Sequence, residues 1–243
     1  MAQKFIAEVF KKEKVSSKVY LVTFKLLSPA TISFKAGQNM MLMISTGVNR
    51  TMSIASPPSE NNTLLMAHDT SPHGPASLWT EQLKVGDPAT FIAPTGGVLS
   101  LLDTNKRKVL IATGTGIAPF RAMILDKLSV ISYQSSDSLK AESRQLITLY
   151  WGLRREEDVF WKEEFDELQK LFSNFSWRLI YSKPSESWKG DRGHVTEYVM
   201  NNEKEMENSE FYLCGNKAMV TEVSAKLLER NVPKEQIKTE LFY

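Results

Sequence analysis

The stretch that most constrains this chain is Lys108–Arg121, KVLIATGTGIAPFR. Val109, Leu110, Ile111 and Ala112 form a short, unbroken apolar run, the pattern of a strand buried on both faces. Thr113, Gly114, Thr115 and Gly116 follow at once, and the glycines let the backbone turn sharply and come close to a ligand. Pro119 suits the first turn of a helix, where its missing N–H has no partner to lose. Strand, Gly-rich turn and helix N-terminus together make an anion site, because free N–H groups and the positive dipole end converge there. An ordinary turn fits the same spacing. The stretch is also not the G-x-G-x-x-G fingerprint, since Pro119 stands in the third glycine's place.

At 243 residues the chain suits one large domain or two of ordinary size. Its 42% hydrophobic and 24% charged content is that of a globular protein. No apolar run reaches membrane-spanning length, and residues 1–15 lack a signal peptide's apolar core. A cytoplasmic protein with no membrane partner is therefore expected. A single cysteine, Cys214, excludes a disulfide framework and any Cys-ligated iron–sulfur cluster within the chain. His68, His73 and His194 have no metal-ligand spacing, so no metal site is expected. The net charge of +2 is too small to imply nucleic-acid binding. Its distribution is uneven: residues 1–108 hold 12 Lys/Arg against 7 Asp/Glu, a net +5, and residues 109–243 hold 18 against 21, a net −3. A basic first half suits an acidic partner, although a solvated surface explains it equally well.

Residues 1–105 carry short runs rich in β-branched and aromatic residues: 5–10, 19–27, 40–45, 63–68 and 89–93. Turn signals at 36–38, 56–58, 86–88 and 95–97 separate them, a spacing that predicts an antiparallel β-barrel. One helix is expected from Pro75 to Leu83. Arg50-Thr51-Met52-Ser53 offers a guanidinium suited to clamping a phosphate and, three residues on, a hydroxyl suited to a heterocycle nitrogen. Gly74-Pro75-Ala76-Ser77 offers a second turn into a helix. Taken singly, a surface arginine and a helix-capping serine account for both.

Residues 106–243 alternate between strand and helix. Strands are expected at 109–112, 146–151, 177–182, 211–214 and 237–242, and helices at 119–129, 156–172, 195–200 and 218–229, with a polar loop at 132–143. Such alternation predicts an α/β doubly wound parallel sheet, with ligands beyond the carboxyl ends of its strands. Trp151-Gly152-Leu153-Arg154, Gly190-x-x-Gly193-x-Val195 and Leu213-Cys214-Gly215-Asn216 all fall at such ends. Loop glycines and a core cysteine are the plainer account of each, but their convergence on one crevice favours a site.

In order and spacing these motifs resemble the ferredoxin–NADP(+) reductase superfamily. GTGIAP is similar to its nicotinamide-binding turn, Arg50-x-x-Ser53 with Gly74-x-x-Ser77 to its flavin-binding pair, and Cys-Gly-x-x-x-Met with Glu240-x-Phe242 to its C-terminal signatures. The resemblance implies an FAD-binding domain at 1–105 and an NAD(P)-binding domain at 106–243. It implies that Arg50 and Ser77 bind the flavin pyrophosphate, that Ser53 bonds flavin N5, and that Met52 packs where relatives carry a tyrosine. It further implies that Cys214 lies beside nicotinamide C4, that Glu240 and Phe242 flank the flavin–nicotinamide junction, and that Tyr243 contacts the flavin's adenine. Thr115, Gly116, Pro119 and Gly215 complete the coenzyme slot.

The activity so implied is hydride transfer between NADPH or NADH and FAD, with electrons passed to a small acidic carrier (ferredoxin or flavodoxin) or an oxygenase component. Ser53, Cys214 and Glu240 are the expected catalytic residues. Coenzyme choice stays open: Arg154, Ser182, Lys183 and Arg192 lean towards the 2′-phosphate of NADPH, whereas Gly193-His194 stands where NADPH-type relatives often have Gly-Arg. The competing readings are a reductase of free flavin or ferric chelates, and an electron-conducting subunit without NAD(P)H oxidation.

Overall fold

The computed structural model describes residues 2–97, 99–133 and 146–242. They divide into two units, Met1–Ser100 with Ala118–Asp126, and Leu101–Ile117 with Lys127–Tyr243.

In the first unit, strands β1 (Gln3–Lys14), β2 (Val19–Ser28), β3 (Asn39–Ser45), β4 (Val48–Ser53), β5 (Thr63–Asp69) and β6 (Pro88–Thr95) form one sheet. Its order is β4-β3-β6-β1-β2-β5, and every pairing is antiparallel. Alternate residues turn inward, so Phe5, Val22, Phe24, Met40, Leu42, Leu64, Met66 and Phe91 fill the core. The sheet curls until its two edge strands nearly meet. Just past β4, the Ala55 N–H donates to the Leu65 carbonyl of β5 at 2.8 Å, and Ser56 Oγ accepts from the Leu65 N–H at 3.1 Å. Helix α1 (Pro75–Gln82) packs on β3 and β5.

The second unit is a parallel sheet of β7 (Arg107–Thr113), β8 (Ile147–Leu153), β9 (Phe175–Tyr181), β10 (Asp191–Arg192), β11 (Ser209–Asn216) and β12 (Ile237–Phe242). The order is β10-β9-β8-β7-β11-β12. The chain proceeds outward from β7 through β8, β9 and β10, then crosses to the other side for β11, so the order reverses between β7 and β11. Helix α2 (Ile117–Tyr133), whose residues Ala118–Asp126 belong to the first unit, follows β7; α3 (Lys162–Leu171) follows β8, α4 (Val195–Asn202) follows β10 and α5 (Lys217–Glu229) follows β11. On one face Val199, Val220, Val223 and Leu227 of α4 and α5 pack with Ile111, Ile180 and Leu213. On the other, Phe165 of α3 meets Trp177 at 5.5 Å and Trp151 at 6.3 Å.

The helix expected over 156–172 is instead a 3-10 turn at Glu156–Asp158 followed by α3. Asp158 accepts a hydrogen bond from the Arg155 N–H, and Trp161 takes a left-handed conformation, φ +57°. That backbone cannot continue a right-handed helix. Helix α2 begins two residues earlier than expected and includes Ser132. The rest of the predicted polar loop, 134–143, lies outside the described residues, as does Tyr243.

Candidate functional site

In an open parallel sheet a ligand crevice forms beyond the carboxyl ends of the strands, where strand order reverses. Here that place lies between β7 and β11, in register through Ala112 and Cys214. The chain leaves β7 through a 3-10 turn, Gly114–Gly116, that runs into α2. Gly114 has φ +53° and open space where a Cβ would stand. Gly116 lies so close to β11 that a Cβ would collide with the Cys214 carbonyl. The turn is braced on both sides: Trp151 Nε1 donates to the Gly114 carbonyl at 3.0 Å, and Thr113 Oγ1 accepts from the Asn216 N–H at 2.9 Å. Thr115, Gly116, Cys214 and Gly215 are thus brought to one spot, with Pro119 in the first turn of α2.

Cys214 is fully buried. Burial pushes its thiol well above the ordinary range, and the charge of Glu240, its neighbour in the β11–β12 ladder, pushes the same way. The side chain is a neutral thiol, suited to shaping a slot rather than to nucleophilic attack. The backbone of Phe242 continues that ladder opposite Asn216.

The polar candidates at the ends of β8 and β9 divide in two. Arg154 and Lys183 are joined through their backbones, the Lys183 N–H donating to the Arg154 carbonyl at 2.9 Å, and the Ser182 N–H donates to the Leu153 carbonyl at 3.0 Å. Both cationic side chains are exposed. Arg192 is turned into its own loop, where Nη2 donates to the carbonyls of Ser185 and Glu186 at 3.1 and 3.2 Å and to that of Trp188. Glu156, which no sequence motif marks, caps the same loop: its Oε1 accepts from the Ser185 Oγ at 2.6 Å and N–H at 3.0 Å. Those Ser185 bonds hold its carboxyl below the usual range.

In the first unit, Arg50, Thr51, Met52 and Ser53 lie on β4, paired with Leu42, Met41, Met40 and Asn39 of β3. Ser53 is buried, Arg50 and Thr51 are exposed, and Met52 packs against the barrel core. Arg50 Nη1 donates to the Asn49 carbonyl at 2.8 Å. Gly74 is the N-cap of α1 and Ser77 lies buried in its first turn. Both motifs belong to elements that adjoin β3, which pairs with β4 and packs with α1. Among the described residues the α1 N-terminus has no side-chain cap and its first turn no acidic residue, and none stands within 4 Å of where a Gly74 Cβ would be. An open, uncapped helix N-terminus fits a pyrophosphate. The Gly114–Gly116 turn, pressed on β11 yet open at Gly114, fits a second phosphate-bearing ligand.

Among the described residues no three or more His, Cys, Asp or Glu side chains are grouped to hold a metal ion. No described helix is long and apolar enough to cross a membrane.

Comparison with known proteins finds two family matches along the chain. Residues 6–99 match the family described as the oxidoreductase FAD-binding domain, and residues 110–225 match the oxidoreductase NAD-binding domain. The chain is 34% identical over 179 residues to one subunit of the Na(+)-translocating NADH-quinone reductase of Methylococcus capsulatus, covering 71% of this chain and 41% of that protein. It therefore spans about two fifths of the curated relatives it matches. The Amycolatopsis cytochrome P450 reductase GcoB superposes with a TM-score of 0.86 at 22% identity, covering 99% of this chain and 70% of that one. A Neisseria gonorrhoeae ferredoxin NADP+ reductase with bound FAD and NADP superposes at 0.80 and 20% identity, covering all of both chains. At such identities the likeness is one of fold. With both cofactor domains matched in order along a curled antiparallel sheet and a parallel α/β sheet, the chain belongs to the ferredoxin–NADP(+) reductase superfamily, as an oxidoreductase that binds FAD and a nicotinamide dinucleotide.

Proposed function

We propose that the chain is an NAD(P)H-dependent flavoprotein reductase. It takes a hydride from NADPH or NADH and passes the two electrons singly to an external carrier, a ferredoxin, a flavodoxin or an oxygenase component. Residues 1–105 then serve as the FAD domain and 106–243 as the NAD(P) domain. The observation that carries the reading is the Gly114–Gly116 turn at the point of strand-order reversal, laid against the Cys214 carbonyl.

Bound FAD supplies the redox chemistry, accepting a hydride and giving up electrons one at a time. The chain's own task is to hold and orient. Arg50, Gly74 and Ser77 hold the flavin pyrophosphate. Thr51 and Met52 line β4 beside it, and Ser53 hydrogen-bonds N5. Thr115, Gly116, Pro119, Cys214 and Gly215 shape the nicotinamide slot, and Glu240, Phe242 and Tyr243 are taken as further cofactor contacts on the family resemblance alone.

Arg154, Ser182 and Lys183 meet the coenzyme's ribose end, while Arg192 fixes the loop beneath them. Two exposed cations support NADPH; the name of the quinone-reductase relatives supports NADH. These 243 residues hold one cysteine, too few to ligate an iron–sulfur cluster among themselves.

The match to a quinone-reductase subunit favours a second reading, in which the same two domains feed electrons into a larger assembly. Gel filtration of FAD-loaded protein, followed by reduction assays with ferredoxin, flavodoxin, free flavin and ferric citrate, separates these. Retained FAD with carrier reduction supports the proposal. Loss of FAD with reduction of the free acceptors supports a reductase of free flavin or ferric chelates. Retained FAD without oxidation of either nicotinamide supports an electron-conducting subunit.

A further inference from the structure

Asn39 opens β3 directly across the ladder from Ser53 of β4, and it also faces Thr95 of β6. Residues directly opposite in an antiparallel pair share a face of the sheet. Asn39 and Ser53 therefore leave the sheet on one side, and the next residue, Met40, points to the barrel core on the other. Both are 7% exposed, although neither belongs to that core. The β3–β6 pairing carries a register shift between Asn39 and Met41, the kind of irregularity that re-aims a side chain.

Three acceptors around Asn39 are paired. Its own carbonyl accepts from Thr95 Oγ1 at 3.1 Å, the neighbouring Gln38 carbonyl accepts from the Ile54 N–H at 3.2 Å, and Gln38 Oε1 accepts from the Lys35 N–H at 2.8 Å. The side-chain oxygen of Asn39 is the exception, for it is buried and has no hydrogen-bond partner among the described residues. A buried acceptor left unpaired is rare and destabilising, and it calls for a partner that arrives from outside the chain.

We propose that Asn39 is a flavin ligand, its Oδ1 accepting a hydrogen bond from an N–H or O–H donor of FAD held beside Ser53. This rests on the reading that Ser53 meets the flavin. Asn39→Leu removes the orphaned acceptor at similar volume, and Ser53→Ala serves as the independent check on that reading. FAD affinity is measured by titrating flavin-stripped protein and following quenching of flavin fluorescence, and thermal unfolding is recorded with and without FAD.

The expected result is FAD binding at least ten-fold weaker in Asn39→Leu, with the stripped variant unfolding no lower than stripped wild type. Binding within two-fold of wild type overturns the proposal. So does weaker binding in a variant whose stripped form is also destabilised, because that marks a purely structural amide. Asn39→Asp keeps the acceptor and adds a negative charge; it should make the flavin harder to reduce, and an unmoved potential counts against the contact. If Ser53→Ala leaves flavin binding and reduction unchanged, the placement of the flavin itself fails. If Ser53→Ala has an effect and Asn39→Leu has none, only the role of Asn39 fails.

Discussion

Arg121 of α2 donates from Nη1 to the main-chain carbonyl of Ala55 at 2.8 Å, two residues beyond Ser53. Both residues belong to the first unit. Ala55 is fully buried, and its N–H is already committed to Leu65. The guanidinium therefore holds the strap that brings the two edge strands of the curled sheet together. Arg121→Met keeps the aliphatic stem and removes the donor, leaving a buried carbonyl without it. A loss of about 1.5–3 kcal/mol in urea unfolding is expected, as for a hydrogen bond to a charged group. Arg121→Lys should recover part of it. An unchanged midpoint in Arg121→Met contradicts the role.

Cys214 should behave as an inert thiol. Burial and the charge of Glu240 keep it protonated, and the fully buried side chain offers no approach to reagent. With Ellman's reagent near the ordinary thiol pKa of about 8.5, the native protein should release almost no chromophore and the denatured protein one equivalent. Rapid native labelling would show an accessible thiolate at the centre of the proposed slot.

Much of this was legible in local sequence, for local reasons. Val109, Leu110, Ile111 and Ala112 are all fully buried in the middle of the parallel sheet, as an unbroken apolar run between helices requires. Gly116, four residues beyond Ala112, stands where the backbone has to pass close to β11. Other features depend on partners far along the chain. The orphaned oxygen of Asn39 is set by what surrounds it across β3, β4 and β6, and the Arg121 bond to Ala55 spans 66 residues. Arg192 reads as a free cation in sequence because nothing there shows its loop carbonyls turning inward. The break at Trp161 is a left-handed backbone at a residue type that gives no warning of it.

Lys108 shows the same limit in energetic form. It is the second residue of β7, just before the apolar run, yet its side chain is fully buried, with Nζ 2.5 Å from Glu210 Oε2 and 2.7 Å from Thr104 Oγ1. Tyr212 OH donates to the same Glu210 oxygen at 2.9 Å and accepts from the Leu102 N–H at 3.0 Å. Lys108→Met strands the carboxylate in the interior and should cost about 3–5 kcal/mol in chemical denaturation. Adding Glu210→Gln removes the stranded charge and should restore a good part of that loss. A neutral single substitution would mean that the pair is solvated.

His68 gives the first unit a pH dependence. Its Nδ1 shares a 2.7 Å hydrogen bond with Thr80 Oγ1, tying β5 to α1. Burial lowers its pKa below 6.5, against the opposing charges of Asp69 and Glu81. The unfolded chain thus binds the proton more readily than the native one. The contribution is fully present above the unfolded value of 6.5 and is lost as pH falls from there through the depressed native value. Melting temperature should fall more steeply below pH 6.5 in the wild type than in His68→Gln. Parallel curves would remove His68 from the acid transition.

Hydride transfer onto a flavin held by this chain is tested most directly by anaerobic addition of NADH, and separately of NADPH, to the FAD-loaded protein while its visible flavin absorbance is followed. Bleaching by at least one of the two is predicted within seconds of mixing, with Ser53→Ala markedly slower while still yellow. Flavin that stays bound and oxidised with both nicotinamides would contradict it.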